Sequence, residues 1–399
     1  MTLEEMITRQ LGAMPRQVEI TARLRAEIVA RVVRWVRLNW RAYEQGDPLE
    51  WFDKHALEFH DIVTQAQLEA ATVATIAVDE TLAAQGYNGP TDFFAVPEAF
   101  AGYTGAGLPV MGLAYAQALK VAETIDAGAD QLTIQQNWNH AAVMLQVAAQ
   151  TAVSDSSRQA KLVHMAARPR TKWIRLVRPP CCARCAILAG KVGYHMDFKR
   201  HPGCDCDAIP LAEWDDDETN DARRDWIFDP NTYFDSLTEA QQDKIFTKAG
   251  AQAVRDGADI NQVVNARRGM TTAGKRPAYT LEGTTKRGVA ASYLRESYRG
   301  YWKKLPGSRY QRFGQRRLTP EAIYDSTRGD PDLALSLLHA NGYLSDASAN
   351  LDGSWRWAVR DSAVRRARDK VSDQLVARGL NVHVNPAARR VAALTSKNP

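Results

Sequence analysis

The sequence predicts a mainly α-helical protein that carries one small zinc-knuckle-like α+β module. Three observations predict this. Long stretches place apolar residues at helical spacing, only one short run is rich in strand formers, and all five cysteines lie between Cys181 and Cys206. The 399 residues are 45% hydrophobic and 24% charged, which is the composition of a chain able to bury a core rather than of a disordered one.

A helical N-terminal domain is expected over residues 1–167. Within 17–45, Leu24, Ile28, Val32 and Trp35 recur at helical spacing and stack on one face, while Arg25, Arg31, Arg34 and Arg37 fall largely elsewhere. Residues 56–85 are Ala-rich and end at Gly86, a C-cap residue. Residues 87–109 hold Gly89-Pro90, Pro97, Gly102, Gly105, Gly107 and Pro109 and read as a loop. A short helix over 110–126 follows. A long one over 130–166 has Leu132, Trp138, Val143, Val147 and Val153 among its apolar positions, and Arg168-Pro169 ends it.

The cysteine and histidine module is expected over 168–235. Lys172-Trp173-Ile174-Arg175-Leu176-Val177-Arg178 has the composition of a strand, and Pro179-Pro180 stops it. A helical, basic C-terminal region is expected over 236–399. One helix starts at Leu237-Thr238-Glu239-Ala240 and ends near Gly257. Residues 271–318 are rich in Gly, Arg and Tyr with weak periodicity. Thr319-Pro320-Glu321 fits the N-cap, N1 and N2 positions of a helix, and a helical tail is expected around 359–378.

No run of about 18 apolar residues occurs, so no membrane span is expected. The N-terminal MTLEEMITRQ is acidic and polar where a secretory signal would be basic and then apolar. The net charge of +5 hides a strong alternation. Residues 44–157 carry 2 basic and 15 acidic side chains, 158–200 carry 11 and 1, 201–260 carry 5 and 15, and 261–318 carry 14 and 2. Blocks this polarised need an opposite partner, in the same chain or outside it.

The cysteines form two pairs of ligand spacing. Cys182 and Cys185 are a CxxC pair; His201 and Cys204 are an HxxC pair, with Cys206 two residues on. A two-residue gap lets one tight turn present two ligands to a tetrahedral Zn²⁺, and Pro202-Gly203 supplies the second turn. Neighbouring Arg178, Arg184, Lys199 and Arg200 favour thiolates. The best set is Cys182, Cys185, His201 and Cys204, with Cys206 able to replace His201 or Cys204 and Cys181 a bystander. Four protein ligands make such a site structural, since no position stays open for water. A reduced, metal-free cluster, a disulfide pair and a redox CxxC remain as alternatives, the last without a surrounding βαβ pattern.

The run Arg178-Pro179-Pro180-Cys181-Cys182-Ala183-Arg184-Cys185, followed by Asp197-Phe198-Lys199-Arg200-His201-Pro202-Gly203-Cys204-Asp205-Cys206, resembles the Mu F-like minor capsid and head-morphogenesis proteins of tailed phages, in the versions found in phages of actinobacteria. The stretches 247–270 and 337–344 resemble the same group, so the similarity covers roughly residues 170–345. The resemblance implies a structural virion protein in few copies, inside the capsid near the portal and in the host cytoplasm during assembly. It would act in head assembly and in DNA packaging or ejection. The implied partners are the portal protein, the major capsid or scaffold protein and the phage genome, with no membrane.

Some relatives are labelled capsid maturation proteases, which makes an enzyme the first alternative. The sequence has no HExxH, no GxSxG and no phosphate-cradling GxxxxGK[ST]. Ser157 and His164 share a helix face but sit about two turns apart. Non-specific DNA binding is the second alternative. The 261–318 block interleaves its cations with Tyr279, Tyr293, Tyr298, Tyr301, Trp302, Tyr310 and Phe313, and Arg295, Arg299, Lys303 and Lys304 would form one stripe on a helix. Docking of this block on an acidic protein surface is the competing reading.

Overall fold

The computed structural model describes residues 1–41, 46–90, 93–194, 198–212, 226–273, 276–286, 288, 290–291, 301–314 and 316–344. The expected tail at 359–378 lies outside them. The described chain is mainly helical. It divides into two compact units, residues 1–181 with 188–229, and residues 182–187 with those from 230 onward.

The first unit is built on five helices: α1 (Leu3–Ala13), α2 (Arg16–Arg41), α3 (Pro48–Ala83), α4 (Met111–Asp126) and α5 (Gln131–Ala166). Helix α3 begins earlier than periodicity suggested. Asp47 caps it through the Leu49 N–H, and Pro48 occupies N1, where no backbone donor is needed. Asp130 caps α5 in the same way through the Thr133 N–H.

Ile28, Val32, Val36 and Trp40 of α2 pack with Phe59 and Val63 of α3, Val121 of α4 and Leu145 and Val153 of α5 in one core. The stripe read from α2 is therefore its core face, shifted slightly: Leu24 is largely exposed. Leu132 and Val143 of α5 also face solvent. At one end Trp40 meets Trp51 edge-on at 4.5 Å and Trp138 at 5.2 Å. The Trp40 indole N–H donates to the Trp138 carbonyl and that of Trp51 to the Asn39 carbonyl, so these two rings are buried with their donors satisfied, while the buried Trp138 indole nitrogen has no hydrogen-bond partner.

A three-stranded antiparallel sheet follows, ordered β2 (Val192–Gly193), β1 (Thr171–Leu176), β3 (Asp207–Ala212). Both faces are covered, which explains why every residue of β3 is buried. Ile174, Leu176, Ile209 and Leu211 pack on Met14, Val18 and Trp226. Trp173, Ala208 and Ala212 pack on Val78 and Leu82 of α3 and Leu162 and Met165 of α5. The period-two alternation of β1 thus serves two helical surfaces. Gly193 lies against Trp173, where a Cβ would fall 2.2 Å from the indole.

The glycine- and proline-rich 93–110 segment is fastened to α3 and α5 by buried polar side chains. Gln67 donates to the Tyr103 carbonyl and accepts from the Gly102 N–H, and Ser156 donates to the Phe100 carbonyl. His164, fully buried, accepts the Ala95 N–H at Nδ1 and meets Asp79 at 2.9 Å through Nε2. Because Nδ1 is an acceptor, the proton of the neutral ring lies on Nε2 and is donated to Asp79. Arg168 pairs with the same carboxylate and donates to the Phe93 and His164 carbonyls.

The second unit contains α6 (Ala183–Ala186), α7 (Pro230–Asp235), α8 (Glu239–Phe246), α9 (Lys248–Arg255), α10 (Ile260–Ala266), α11 (Pro320–Thr327) and α12 (Pro331–Ala340). The single helix expected from Thr238 to Gly257 is two. Thr247, at φ 68°, breaks it and caps the second piece through the Gly250 N–H. Thr319 and Pro320 start α11 as their residue types require.

Between residues 270 and 318 the described regular structure is mostly short strands. A sheet is ordered β4 (Met270–Ala273), β5 (Arg276–Thr280), β8 (Arg317–Leu318), and a separate hairpin pairs β6 (Trp302–Lys303) with β7 (Arg312–Phe313). Arg317 is buried, its guanidinium stacked 4.0 Å from the Tyr343 ring and donating to Gln262 and the Glu282 carbonyl.

Burial lowers the His164 pKa and Arg168 lowers it further, while Asp79 opposes both; Tyr87 also lies in the field of Arg168 and Asp79. The folded pKa is below the unfolded value of 6.5, so the unfolded chain takes up this proton first. Stability from the neutral ring is full above the ordinary histidine range and falls as pH drops through it. The thermal midpoint should decline between about pH 7 and 5, and His164→Gln, which keeps both hydrogen bonds, should flatten that decline; an unchanged pH profile in the variant would contradict the assignment.

Candidate metal centre

Three local devices shape the cysteine segment. Cys182 caps the single turn of α6, its sulfur accepting the Cys185 N–H at 3.4 Å. His201, Pro202, Gly203 and Cys204 form a turn closed by the Cys204 N–H on the His201 carbonyl at 3.2 Å. Pro at its second position and Gly at φ 69° at its third are the type II residues. The Gly203 N–H donates to the Thr151 hydroxyl of α5 at 2.8 Å, and β3 begins directly after Cys206.

Two overlapping groups result. Ligand atoms of Cys182, Cys185 and His201 lie within 4.8 Å of one another, as do those of Cys185, Cys204 and Cys206. All five residues singled out from spacing are brought together, with Cys185 common to both groups, and these residues could hold a metal ion. Cys181 joins neither group. No disulfide joins any of the five cysteines, and Cys185, Cys204 and Cys206 are buried. His201 contacts the Pro202 carbonyl through Nδ1 at 2.8 Å. The neutral ring then carries its lone pair on Nε2, the tautomer of a ligating histidine.

The surroundings are strongly cationic, and the cations reach deeper than the neighbouring Arg178, Arg184, Lys199 and Arg200 would indicate. Arg25, Arg158, Lys161 and Arg175 are all buried beside the Cys204–Asp207 segment, with Asp155 and Asp207 as the only buried carboxylates among the described residues. Arg25 pairs with Asp207 at 2.8 Å and Lys161 with Asp207 at 2.7 Å. Burial alone would raise the Asp207 pKa, but Arg25, Lys161 and Arg158 hold it well below the usual carboxylate range. Burial pushes the Lys161 pKa down, against the pull of Asp207.

Arg158 donates to the Cys206 carbonyl at 2.9 Å, to the Cys204 carbonyl and to Asp155 at 3.2 Å. Asp155 also pairs with Arg200. Arg175 donates to the Cys206 sulfur at 2.9 Å and to the Lys199 carbonyl at 2.6 Å, with its guanidinium 3.8 Å from the Phe198 ring. An N–H donor at that distance stabilises a thiolate over a thiol. Arg25 is thus not the solvent-facing residue its place beside an apolar stripe implied.

The other expected site residues fare differently. Arg295 and Arg299 lie outside the described residues. Lys303 is on β6 and Lys304 in the turn that follows, both exposed, so they do not continue a helical stripe. Ser157 is buried in α5, and both nitrogens of His164 are engaged by Asp79 and the Ala95 N–H, so that ring does not act as base toward Ser157. No helix among the described residues is long and apolar enough to cross a membrane. Comparison with protein-family models, with curated proteins and with solved structures gave no match.

Asp207→Ala would leave Arg25 and Lys161 buried without their shared carboxylate. Breaking one side of a buried ion pair costs about 3–5 kcal/mol. Urea unfolding should show a loss of that order, and a change within experimental error would contradict the network.

Proposed function

We propose that the chain is a structural minor capsid protein of a tailed phage, of the Mu F-like head-morphogenesis kind, whose cysteine cluster holds one structural Zn²⁺. It would sit at the portal on the inside of the head, contacting the portal protein and the major capsid or scaffold protein, and act in head assembly and in DNA packaging or ejection. The observation that carries the metal reading is the convergence of Cys182, Cys185, His201, Cys204 and Cys206 within two overlapping 4.8 Å groups. The phage reading rests on the resemblance of the residues that build those groups.

Charge selects among the candidate ligands. Among the described residues around the cluster, four buried cations face two buried carboxylates, an excess of two positive charges. A Zn²⁺ held by Cys182, Cys185, Cys204 and Cys206 carries two negative charges and offsets that excess; replacing one thiolate by His201 would leave half of it. Arg175 on the Cys206 sulfur supports the same set. When bound, the ion supplies no chemistry, because four protein ligands close its coordination shell. It ties the α6 turn to the His201–Cys206 turn.

Elemental analysis of purified protein should find one zinc per chain. Cys206→Ser should lose it and His201→Ala should retain it; the reverse pattern would place the histidine in the shell. Chelation should lower the unfolding midpoint, since structural zinc contributes roughly 10–16 kcal/mol of apparent binding in finger peptides. Zinc loss with no change in unfolding would refute a structural role. Mass spectrometry of particles purified from a host that encodes the chain should find it uncleaved and in few copies. Its absence from particles would refute the virion assignment.

A further inference from the structure

Residues 301–318 contain six basic side chains and no acidic one. The β6–β7 hairpin gives that composition a direction. Phe313 is buried, packs edge-on against Trp302 at 5.7 Å and donates its N–H to the Thr284 carbonyl at 2.8 Å. Arg312 donates to the Leu281 carbonyl at 2.7 Å. These contacts anchor one side of the hairpin. The turn between the strands is closed by the Ser308 N–H on the Leu305 carbonyl and the Ser308 hydroxyl on the Tyr310 carbonyl.

What remains outward is cationic and aromatic. Lys303, Lys304, Arg309 and Arg316 are exposed, and among the described residues none of the four makes an ion pair. Tyr301 is 69% and Tyr310 53% exposed, so both rings are open to solvent beside these cations. Arg309 lies over the Tyr310 ring at 5.4 Å, so cation and ring are already arranged together.

We propose that this hairpin, with Arg316 just beyond it, is a binding surface for single-stranded nucleic acid, with the four cations on phosphates and Tyr301 and Tyr310 stacking on unpaired bases. Unpaired cations on an anchored ribbon meet the backbone charge, and interleaved aromatic faces distinguish a strand with free bases from an acidic protein surface. No side chain here is placed to read a base edge, so binding is independent of sequence.

The test uses the full chain and a labelled oligo-dT of about 20 nucleotides, read by fluorescence anisotropy across salt, with a duplex of equal length beside it. Affinity for oligo-dT should fall steeply as salt rises. Combined Lys303→Ala, Lys304→Ala, Arg309→Ala and Arg316→Ala should reduce the log–log slope by about 3, at about 0.7 per phosphate contact on a single strand. Combined Tyr301→Ala and Tyr310→Ala should weaken oligo-dT binding at least roughly tenfold and leave duplex binding unchanged. Both variants should keep the wild-type unfolding midpoint and zinc content, which separates this surface from the metal reading. Wild-type slope in the four-cation variant, absence of oligo-dT binding, or unchanged affinity in the tyrosine variant would overturn the proposal.

Discussion

One ionised carboxylate, Asp207, holds the first unit's helices and sheet in register. It sits at the start of β3 and pairs with Arg25 from α2 and Lys161 from α5. All three are buried, so each is stable as an ion only while the others are in place. The constraint runs outward from there. Fixing Asp207 fixes the segment before it, and Arg158, one turn from Lys161 on α5, takes the Cys204 and Cys206 carbonyls. The cysteine turn is therefore positioned by the helical bundle before any metal is considered.

Much of the helical architecture was legible because it depends on local signals. A 3.6-residue apolar period over long stretches located α2, α4 and α5, and Thr319-Pro320 announced α11 through a side-chain acceptor and a missing N–H. What failed was also local in origin. Asp47-Pro48 is the same kind of signature as Thr319-Pro320, yet the Ala-rich body of α3 drew the boundary later. Thr247 followed three residues later by Gly250 marks a second cap, but continuous helix-compatible residues hid it. Two-residue strands such as β6 and β8 are too short to carry a period at all, so the basic stretch offered no strand signal.

Ligand spacing and ligand environment were legible to different degrees. CxxC and HxxC are contiguous in sequence, and turn chemistry alone brings each pair together. The cations around them come from α2, α5 and β1, far apart in the chain, and each looks like an ordinary surface residue where it stands. Arg25 illustrates this: beside an apolar stripe an arginine is normally solvated, and only a carboxylate supplied by β3 makes its burial tolerable. Long-range charge pairing leaves no periodic trace, which is why net charge by block showed that partners must exist without saying which.

The excess of buried positive charge gives the thiolates a role beyond ligation. A neutral thiol at Cys206 would leave Arg175 donating to a weak acceptor and would leave the cation excess uncompensated, in a place where desolvation penalises every charge. Deprotonated sulfur removes that penalty, and thiolates packed this closely repel one another unless a cation lies among them. Thiolates would answer the arginines, and the clustered sulfurs could hold a metal ion among them. The charge network of the bundle and the sulfurs of the loop are coupled through Arg158, on the Cys204 and Cys206 carbonyls, and Arg175, on the Cys206 sulfur.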